Sequence, residues 1–176
     1  MINYKHLLPS LLILLIFIGC SSGRENSPNL ENLLENYVDN GTPIMVDGEL
    51  FSGILFQEYN NGQILMEVHV DKGIPNGPFE YYFENGQLGE KGAYKDGKED
   101  GLWELYYENG QLGEKGTYKD GELDGPFEDY YANGQLKHEG TYKDGQKEGQ
   151  WIEHYEDGRI YPMGTGRFQN DVKISD

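Results

Sequence analysis

The chain has 176 residues, of which 14 are Lys or Arg and 31 are Asp or Glu, so its formal net charge is −17. This charge repels phosphate backbones over a Debye length of about 8 Å at physiological salt, which argues against nucleic-acid binding. The 25 Gly and 14 Tyr residues, with only 36% hydrophobic residues, argue against a thick aliphatic core. The single cysteine excludes an internal disulfide and a cysteine-rich metal site.

Residues 1–19 have the pattern of a lipoprotein signal peptide. Lys5 precedes a largely apolar run from residue 7 to residue 19, which is too short for a membrane span of about 20 apolar residues. The run ends in the tetrapeptide FIGC, whose last residue is Cys20, and this segment resembles the lipobox of bacterial lipoproteins. We therefore expect cleavage before Cys20 and a lipid on its thiol that anchors the chain in the bacterial cell envelope. Ser21 favours the outer membrane, and an ordinary secretory signal is the alternative.

Residues 20–40 have the composition of a tether. The segment from residue 21 to residue 29 is small and polar, which is typical of a flexible spacer. Leu30, Leu33 and Leu34 then follow helical spacing, so a short helix is predicted before residue 40. We expect the folded domain to cover residues 41–176, with residues 44–50 as a capping half-repeat.

The body of the chain is a repeat of 24 residues. Two series of glycines keep this spacing without a slip, at positions 53, 77, 101, 125 and 149 and at positions 62, 86, 110, 134 and 158. Within each copy, Asn-Gly and Asp-Gly dipeptides separate two short runs of strand-forming residues, and both dipeptides favour type I′ hairpin turns. The pattern predicts an all-β fold, an elongated and twisted single-layer antiparallel meander of about five hairpins.

Alternation along the strands assigns the large side chains to two faces. The first face is predicted to carry a structural aromatic ladder: Phe79, Phe83, Trp103, Tyr107, Phe127, Tyr131, Trp151 and Tyr155. The second strand of each copy is predicted to add Ile64, Leu88, Leu112, Leu136 and Ile160 to that face. The opposite face is predicted to expose a candidate binding row: Tyr82, Tyr106, Tyr130 and His154. Two alternatives give this row no binding role. The segment from Leu30 to Tyr37 covers the row, or the rings of the row only stiffen the strands by cross-strand contact.

The segment from Gly92 to Trp103, which recurs from Gly116 to Phe127 and from Gly140 to Trp151, resembles the MORN repeat (membrane occupation and recognition nexus). A Trp or Phe two places after the lead Gly matches the variant class of this repeat seen in bacteria. The resemblance implies a single antiparallel sheet that serves mainly as a scaffold for proteins. Bacterial relatives are often described as YwqK-like antitoxins, which implies neutralisation of a partner protein as one possible role.

The sequence shows no pattern for catalysis. The three histidines after residue 20 lie at positions 69, 138 and 154, a spacing without a metal-ligand motif, so neither a metal site nor a cofactor is predicted. We therefore expect a non-enzymatic scaffold that is anchored through Cys20 and binds an unknown protein partner. The alternatives are a lipoprotein that binds a glycan through the tyrosine row, and an antitoxin-like protein that occludes its partner.

Overall fold

The computed structural model describes Tyr37 and residues 41–176, so the predicted signal peptide, Cys20 and most of the predicted tether lie outside the described residues. The described chain forms fourteen strands. They are β1 (Met45–Val46), β2 (Glu49–Leu50), β3 (Gly53–Glu58), β4 (Ile64–Asp71), β5 (Ile74–Tyr82), β6 (Leu88–Lys95), β7 (Lys98–Glu99), β8 (Gly101–Tyr106), β9 (Leu112–Lys119), β10 (Glu122–Tyr130), β11 (Leu136–Lys143), β12 (Gln146–Glu153), β13 (Gly166–Gln169) and β14 (Val172–Ser175).

Twelve of these strands form one antiparallel sheet. Its order is β3-β4-β5-β6-β8-β9-β10-β11-β12-β13-β14, and the short β7 pairs with β6 beside this path. Strands β1 and β2 pair separately as a two-stranded ladder. Because strands lie about 4.8 Å apart, the path extends roughly 48 Å. The predicted all-β meander is confirmed.

The Asp-Gly turns are of type I′, as the sequence predicts. At Asp96 and Gly97 the φ angles are 50° and 80°, and both central residues of a type I′ turn need such positive values. The same pair of positive angles occurs at residues 47–48, 120–121 and 144–145. Asp tolerates this left-handed conformation better than most residues, which explains its place before each glycine.

The Asn-Gly turns differ from the prediction of a type I′ turn. In the turn at Asn85 only Gly86 has a positive φ, of 81°. The Gly86 N–H donates to the Phe83 carbonyl at 2.8 Å, and the Phe83 N–H donates to the Gln87 carbonyl at 2.8 Å. These bonds define a three-residue loop, a type I turn followed by a left-handed glycine. Asn85 stabilises it because its Oδ1 accepts from the Gln87 N–H at 2.9 Å, while its Nδ2 donates to the Glu108 carbonyl of the next copy at 3.1 Å.

A β-bulge accompanies each of these turns and changes which residues share a face. Tyr81 pairs with Glu90, but Tyr82 pairs with Leu88, so Gly89 has no cross-strand partner. Because directly paired residues point to the same side, Leu88 lies on the face of Tyr82. The predicted placement on the aromatic face is therefore wrong for the whole set Ile64, Leu88, Leu112, Leu136 and Ile160, which pair with Glu58, Tyr82, Tyr106, Tyr130 and His154.

The rings that follow the lead glycines pack on one side of the sheet, which we call the aromatic face. Phe79 and Trp103 are stacked with 5.5 Å between ring centroids, and Phe127 lies 5.9 Å from Trp151. Trp103 lies directly over Gly92, where any Cβ would overlap the indole. A glycine is therefore required at position 92 because the ring approaches so closely. Gly140 is required under Trp151 for the same reason.

The start of the described chain caps this face. Residue Ile44, 1% exposed, belongs to the buried core cluster together with Leu55 and Val68 of strands β3 and β4. The Gly73 N–H donates to the Phe51 carbonyl at 2.7 Å, just as each later turn glycine bonds to the copy before it. Residues 44–51 thus occupy the place of half a repeat. Tyr37 packs against the same core cluster, so this described residue of the segment from Leu30 does not cover the opposite face.

Candidate binding face

The opposite side of the sheet, which we call the tyrosine face, carries Tyr82, Tyr106, Tyr130 and His154 at equivalent positions of successive copies. Each lies three positions after a ring of the aromatic face, and an odd offset along a strand places the two rings on opposite sides of the sheet. The three tyrosines are half-buried rather than freely exposed. They therefore form part of a structured surface.

Two of the tyrosines belong to identical three-residue units. Tyr106 Oη donates to Glu104 Oε2 at 3.0 Å, and Lys91 Nζ pairs with the same oxygen at 2.6 Å. The lysine also lies 5.8 Å from the centroid of the Tyr106 ring. The hydrogen bond from Lys91 lowers the pKa of Glu104, so the carboxylate remains charged at neutral pH. In the next copy Tyr130 and Lys115 contact Glu128 in the same way.

The units at the two ends of the row are incomplete. Tyr82 Oη donates to Glu80 Oε2 at 2.6 Å, and this hydrogen bond together with burial raises the pKa of Tyr82 to about 12. Glu67 stands where the other units have a lysine, and it pairs across the strands with Glu80. At the other end, His154 has a buried Nδ1 without a partner among the described residues. The row is thus most regular in its centre.

Sequence reasoning missed the charged members of these units. The signal was present, because Glu occurs two residues before each tyrosine of the units and Lys91 and Lys115 repeat with the same period of 24 residues. The carboxylates and ammonium groups form a cross-strand row in which Glu80, Lys91, Glu104, Lys115 and Glu128 are neighbours in turn. Alternating charges directly opposite one another stabilise a sheet pair and leave this part of an acidic protein locally close to neutral.

Apolar side chains flank the charged row. Leu102 is 57% exposed and Ile54 is 49% exposed, and both belong to the tyrosine face. Leu102 also lines a shallow depression across β5, β6 and β8, together with Pro78, Glu80, Lys91, Ala93 and Glu104. The surface thus combines half-exposed rings, exposed apolar groups and fixed charges, as protein interfaces commonly do.

Members of the predicted structural ladder differ in burial. Trp103 and Trp151 are 4% and 2% exposed, whereas Tyr155 is 43% exposed and contacts Tyr161. Tyr107 and Tyr131 are half-buried and donate their hydroxyls to backbone carbonyls of the next copy, at 2.7 and 2.9 Å. Phe127 and Phe83 are also half-buried, and Phe79 is 7% exposed. Burial is therefore greatest for Phe79, Trp103 and Trp151, each two residues after a lead glycine.

Within Tyr37 and residues 41–176, no group of three or more His, Cys, Asp or Glu side chains is arranged to hold a metal ion. In the same part of the chain, no helix has the length and apolar character needed to cross a bilayer. Cys20, on which the predicted anchor depends, lies outside the described residues.

Comparison with protein families identifies the repeats. The family model described as "MORN repeat variant" matches three consecutive segments, residues 75–96, 99–120 and 123–144. These three segments are MORN repeats of the variant class. Each matched segment covers one unit from the start of a hairpin strand to the following Asp-Gly turn, so the central MORN repeats coincide with the regular part of the tyrosine row. No curated protein matches the chain in sequence.

Among solved structures, the chain resembles a mutant form of S. aureus TarM in complex with fondaparinux, alpha-GlcNAc-glycerol and UDP. The identity is 13%, the TM-score is 0.35, and the match covers 64% of this chain and 22% of that chain. A GtfA/B complex bound to UDP and GlcNAc matches with 15% identity and a TM-score of 0.25, over 68% of this chain and 26% of that chain. The chain thus spans about a quarter of the length of these proteins, and likenesses at such scores carry no argument about it.

Proposed function

We propose that the protein is a non-catalytic, lipid-anchored scaffold of the bacterial cell envelope that binds a protein partner through its tyrosine face. The observation that carries the proposal is the repeated unit of Tyr106, Glu104 and Lys91, which recurs one copy later around Tyr130. These side chains are not needed for packing of the aromatic face, because they lie on the other side of the sheet. Half-exposed tyrosines held in place by neighbours are common anchors of protein interfaces.

The experiment compares two double variants by cross-linking in cells and mass spectrometry of the adducts. Tyr106→Ser with Tyr130→Ser removes two central rings, and truncation of a central ring in an interface can cost about 2 kcal/mol or more of binding energy. We expect the partner recovered with the wild-type protein to be lost, while the melting temperature falls by only a few degrees. Glu108→Ser with Ala132→Ser is the matched control, because both residues lie in the Asn-Gly turns, away from the tyrosine row.

A partner retained by the tyrosine double variant and lost with the turn control would contradict the proposal. Tyr106→Phe with Tyr130→Phe separates the ring from the hydroxyl, since it removes only the hydrogen bonds to Glu104 and Glu128. We expect this variant to retain most of the binding, because the ring supplies most of the contact area.

The membrane anchor rests on the sequence around Cys20. Replacement of Cys20 by Ser removes the thiol that would carry the lipid, and the full-length protein should then fail to incorporate a labelled fatty acid and should leave the membrane fraction or stay unprocessed. A Cys20→Ser protein that is labelled and processed like the wild type would show that the anchor lies elsewhere.

A linear glycan is a second candidate ligand, and the geometry of the tyrosine face favours it more than the sequence does. Glu104 and Lys91 place a carboxylate and an ammonium group beside the Tyr106 ring, and such groups can hold sugar hydroxyls while the ring contacts the sugar face. Sedimentation with purified peptidoglycan distinguishes the two candidates. Co-sedimentation that Tyr106→Ser with Tyr130→Ser abolishes, without a protein adduct in cells, would replace the protein partner by a glycan.

A further inference from the structure

A row of polar side chains crosses the aromatic face beside the buried rings. The strand pairings place Tyr81, Glu90, Leu105, Glu114 and Asp129 next to one another across β5, β6, β8, β9 and β10. Glu90 therefore lies between Tyr81 and Leu105, and Glu114 lies between Leu105 and Asp129, on the side of the sheet that holds the core. Both side chains are half-buried, and burial of a carboxylate is costly unless a cation or hydrogen bonds compensate it.

The carboxyl group of Glu90 has no hydrogen bond and no ion pair with any of the described residues. Its cross-strand neighbours are Tyr81 and Leu105, and the titratable groups that it faces are the carboxyl groups of Glu99 and Glu114. Burial, reinforced by these two carboxylates, raises the pKa of Glu90 to about 7. The surroundings therefore favour the neutral acid over the carboxylate.

Glu114 has a similar environment. It pairs across the strands with Leu105 and Asp129, and burial followed by repulsion from Asp129 raises its pKa to about 7. Lys137 opposes this effect without cancelling it, and its Nζ lies 3.0 Å from Asp129 Oδ2. The phenol rings of Tyr107 and Tyr118 face the same region and stay neutral, because burial raises the pKa of both.

The equivalent residues of the first and fourth copies show that packing does not require a carboxyl group here. Met66 occupies the position in the first copy and is 3% exposed, so an apolar side chain fits. In the fourth copy His138 takes the position, with Nδ1 2.8 Å from Asp129 Oδ2 and Nε2 3.4 Å from Glu153 Oε1. Among these four described copies, only the two central ones place an acid at this position.

We propose that Glu90 and Glu114 act as a proton-operated element of the sheet, in which the neutral acids close the aromatic face of β6–β9 and their ionisation loosens it. The direction of the pH effect on stability follows from the linkage between proton binding and folding. In the unfolded chain both groups lose their protons near the ordinary glutamate value, whereas the folded chain retains them to about neutral pH. Their contribution to stability is therefore complete at acidic pH and is lost as the pH rises towards and through neutrality.

The test compares full-length wild-type protein with the Glu90→Gln, Glu114→Gln variant, whose amides mimic the neutral acids at every pH. Urea unfolding is measured at about pH 5.5 and about pH 8.5, where linkage predicts that the wild-type unfolding constant rises by roughly 30-fold for each carboxyl group. The double variant should lose most of this rise. Glu84→Gln with Glu108→Gln is the control, because it removes the same charge from the Asn-Gly turns and should leave the rise unchanged.

Amide hydrogen exchange, corrected for the intrinsic effect of pH on the exchange rate, shows which strands loosen. We expect faster exchange in β6 and β9 of the wild-type protein at the higher of the two pH values. A wild-type pH dependence that persists in the Glu90→Gln, Glu114→Gln variant, or one abolished by the turn control, would overturn the proposal. NMR titration of the glutamate carboxyl carbons in the wild-type protein decides the question if the double variant does not fold. Midpoints of both groups near the ordinary glutamate value would also overturn it.

Discussion

The N-terminal half of the sheet, with Trp103 on β8, and the C-terminal half, with Trp151 on β12, which we call its two ends, carry the same repeat but bury it differently. Around Trp103 the core contains aliphatic side chains from β3 and β4, of which Val68 is completely buried, and the cap contributes Ile44. Around Trp151 the neighbours are Phe127 and Tyr142, and Lys147 lies 4.2 Å from the indole centroid. Desolvation there lowers the pKa of the lysine. Lys147 thus covers the indole of Trp151, whereas Trp103 shares a core cluster with aliphatic residues and with Ile44 of the cap.

The comparison shows that the repeat motif determines backbone pairing and that the neighbours determine burial. Both tryptophans lie over a glycine, Gly92 or Gly140, with the same closest ring atoms, so the local motif is the same. The stability of such an array is approximately the sum of intrinsic repeat terms and interface terms between neighbours. Variants at equivalent positions of the two ends therefore separate the interface term from the intrinsic term.

Deletion of residues is expected to have the largest effect. Removal of Gly101–Asp124 joins Asp100 to Gly125 in the same phase, so the Asn85 side chain would meet the carbonyl of Ala132 in place of that of Glu108. We expect a shorter folded sheet that loses roughly 1–4 kcal/mol, from about 0.05–0.15 kcal/mol per residue. Removal of residues 101–112 alone leaves one strand without its hairpin partner and should abolish cooperative unfolding. Circular dichroism and urea titration measure both, and equal damage would contradict the repeat as the folding unit.

A methyl group under each tryptophan is expected to have the next largest effect. Gly92→Ala and Gly140→Ala both place a Cβ inside the space of the indole, so the ring must move. We expect a loss of about 1–3 kcal/mol at Gly92, because its indole is enclosed by the core cluster. The loss at Gly140 should be smaller, because the strand beyond Trp151 is the four-residue β13 and the sheet can open locally there. Urea unfolding gives both values, and a larger loss at Gly140 would contradict the assigned difference between the ends.

The fold was largely predictable because its determinants are local in the sequence and recur in every copy. Two glycine series and the Asp-Gly dipeptides suffice for hairpins in one sheet, and alternation places Tyr106 opposite Trp103. The bulge that moves Leu112 to the tyrosine face was harder to predict, since Gly113 stands at the bulge but Lys137 takes the equivalent place in the next copy, so glycine is not a constant signal there. The partners of Tyr106 depend on cross-strand register, which joins Lys91 to Glu104, and register is a property of paired strands rather than of either strand alone.

The smallest expected effect concerns the indole N–H groups, and here the order of the two ends should reverse. The Trp151 Nε1–H donates to the Thr141 carbonyl at 3.2 Å, whereas the Trp103 Nε1–H is buried without an acceptor among the described residues. The equivalent carbonyl near Trp103 belongs to Ala93 and accepts from the Asp100 N–H at 3.0 Å. The tryptophan beside the larger core therefore has the less satisfied polar group.

Phenylalanine removes the N–H group and keeps an aromatic ring. Trp103→Phe loses packing volume but also relieves an unpaired buried donor, so we expect a net change within about 1 kcal/mol. Trp151→Phe loses a hydrogen bond and weakens the contact with Lys147, which should cost about 1–2 kcal/mol. Urea unfolding of the two variants under identical conditions measures this difference. A greater loss for Trp103→Phe would mean that burial of ring volume outweighs the hydrogen bond at both ends, and that the two tryptophans differ only in how much of the core surrounds them.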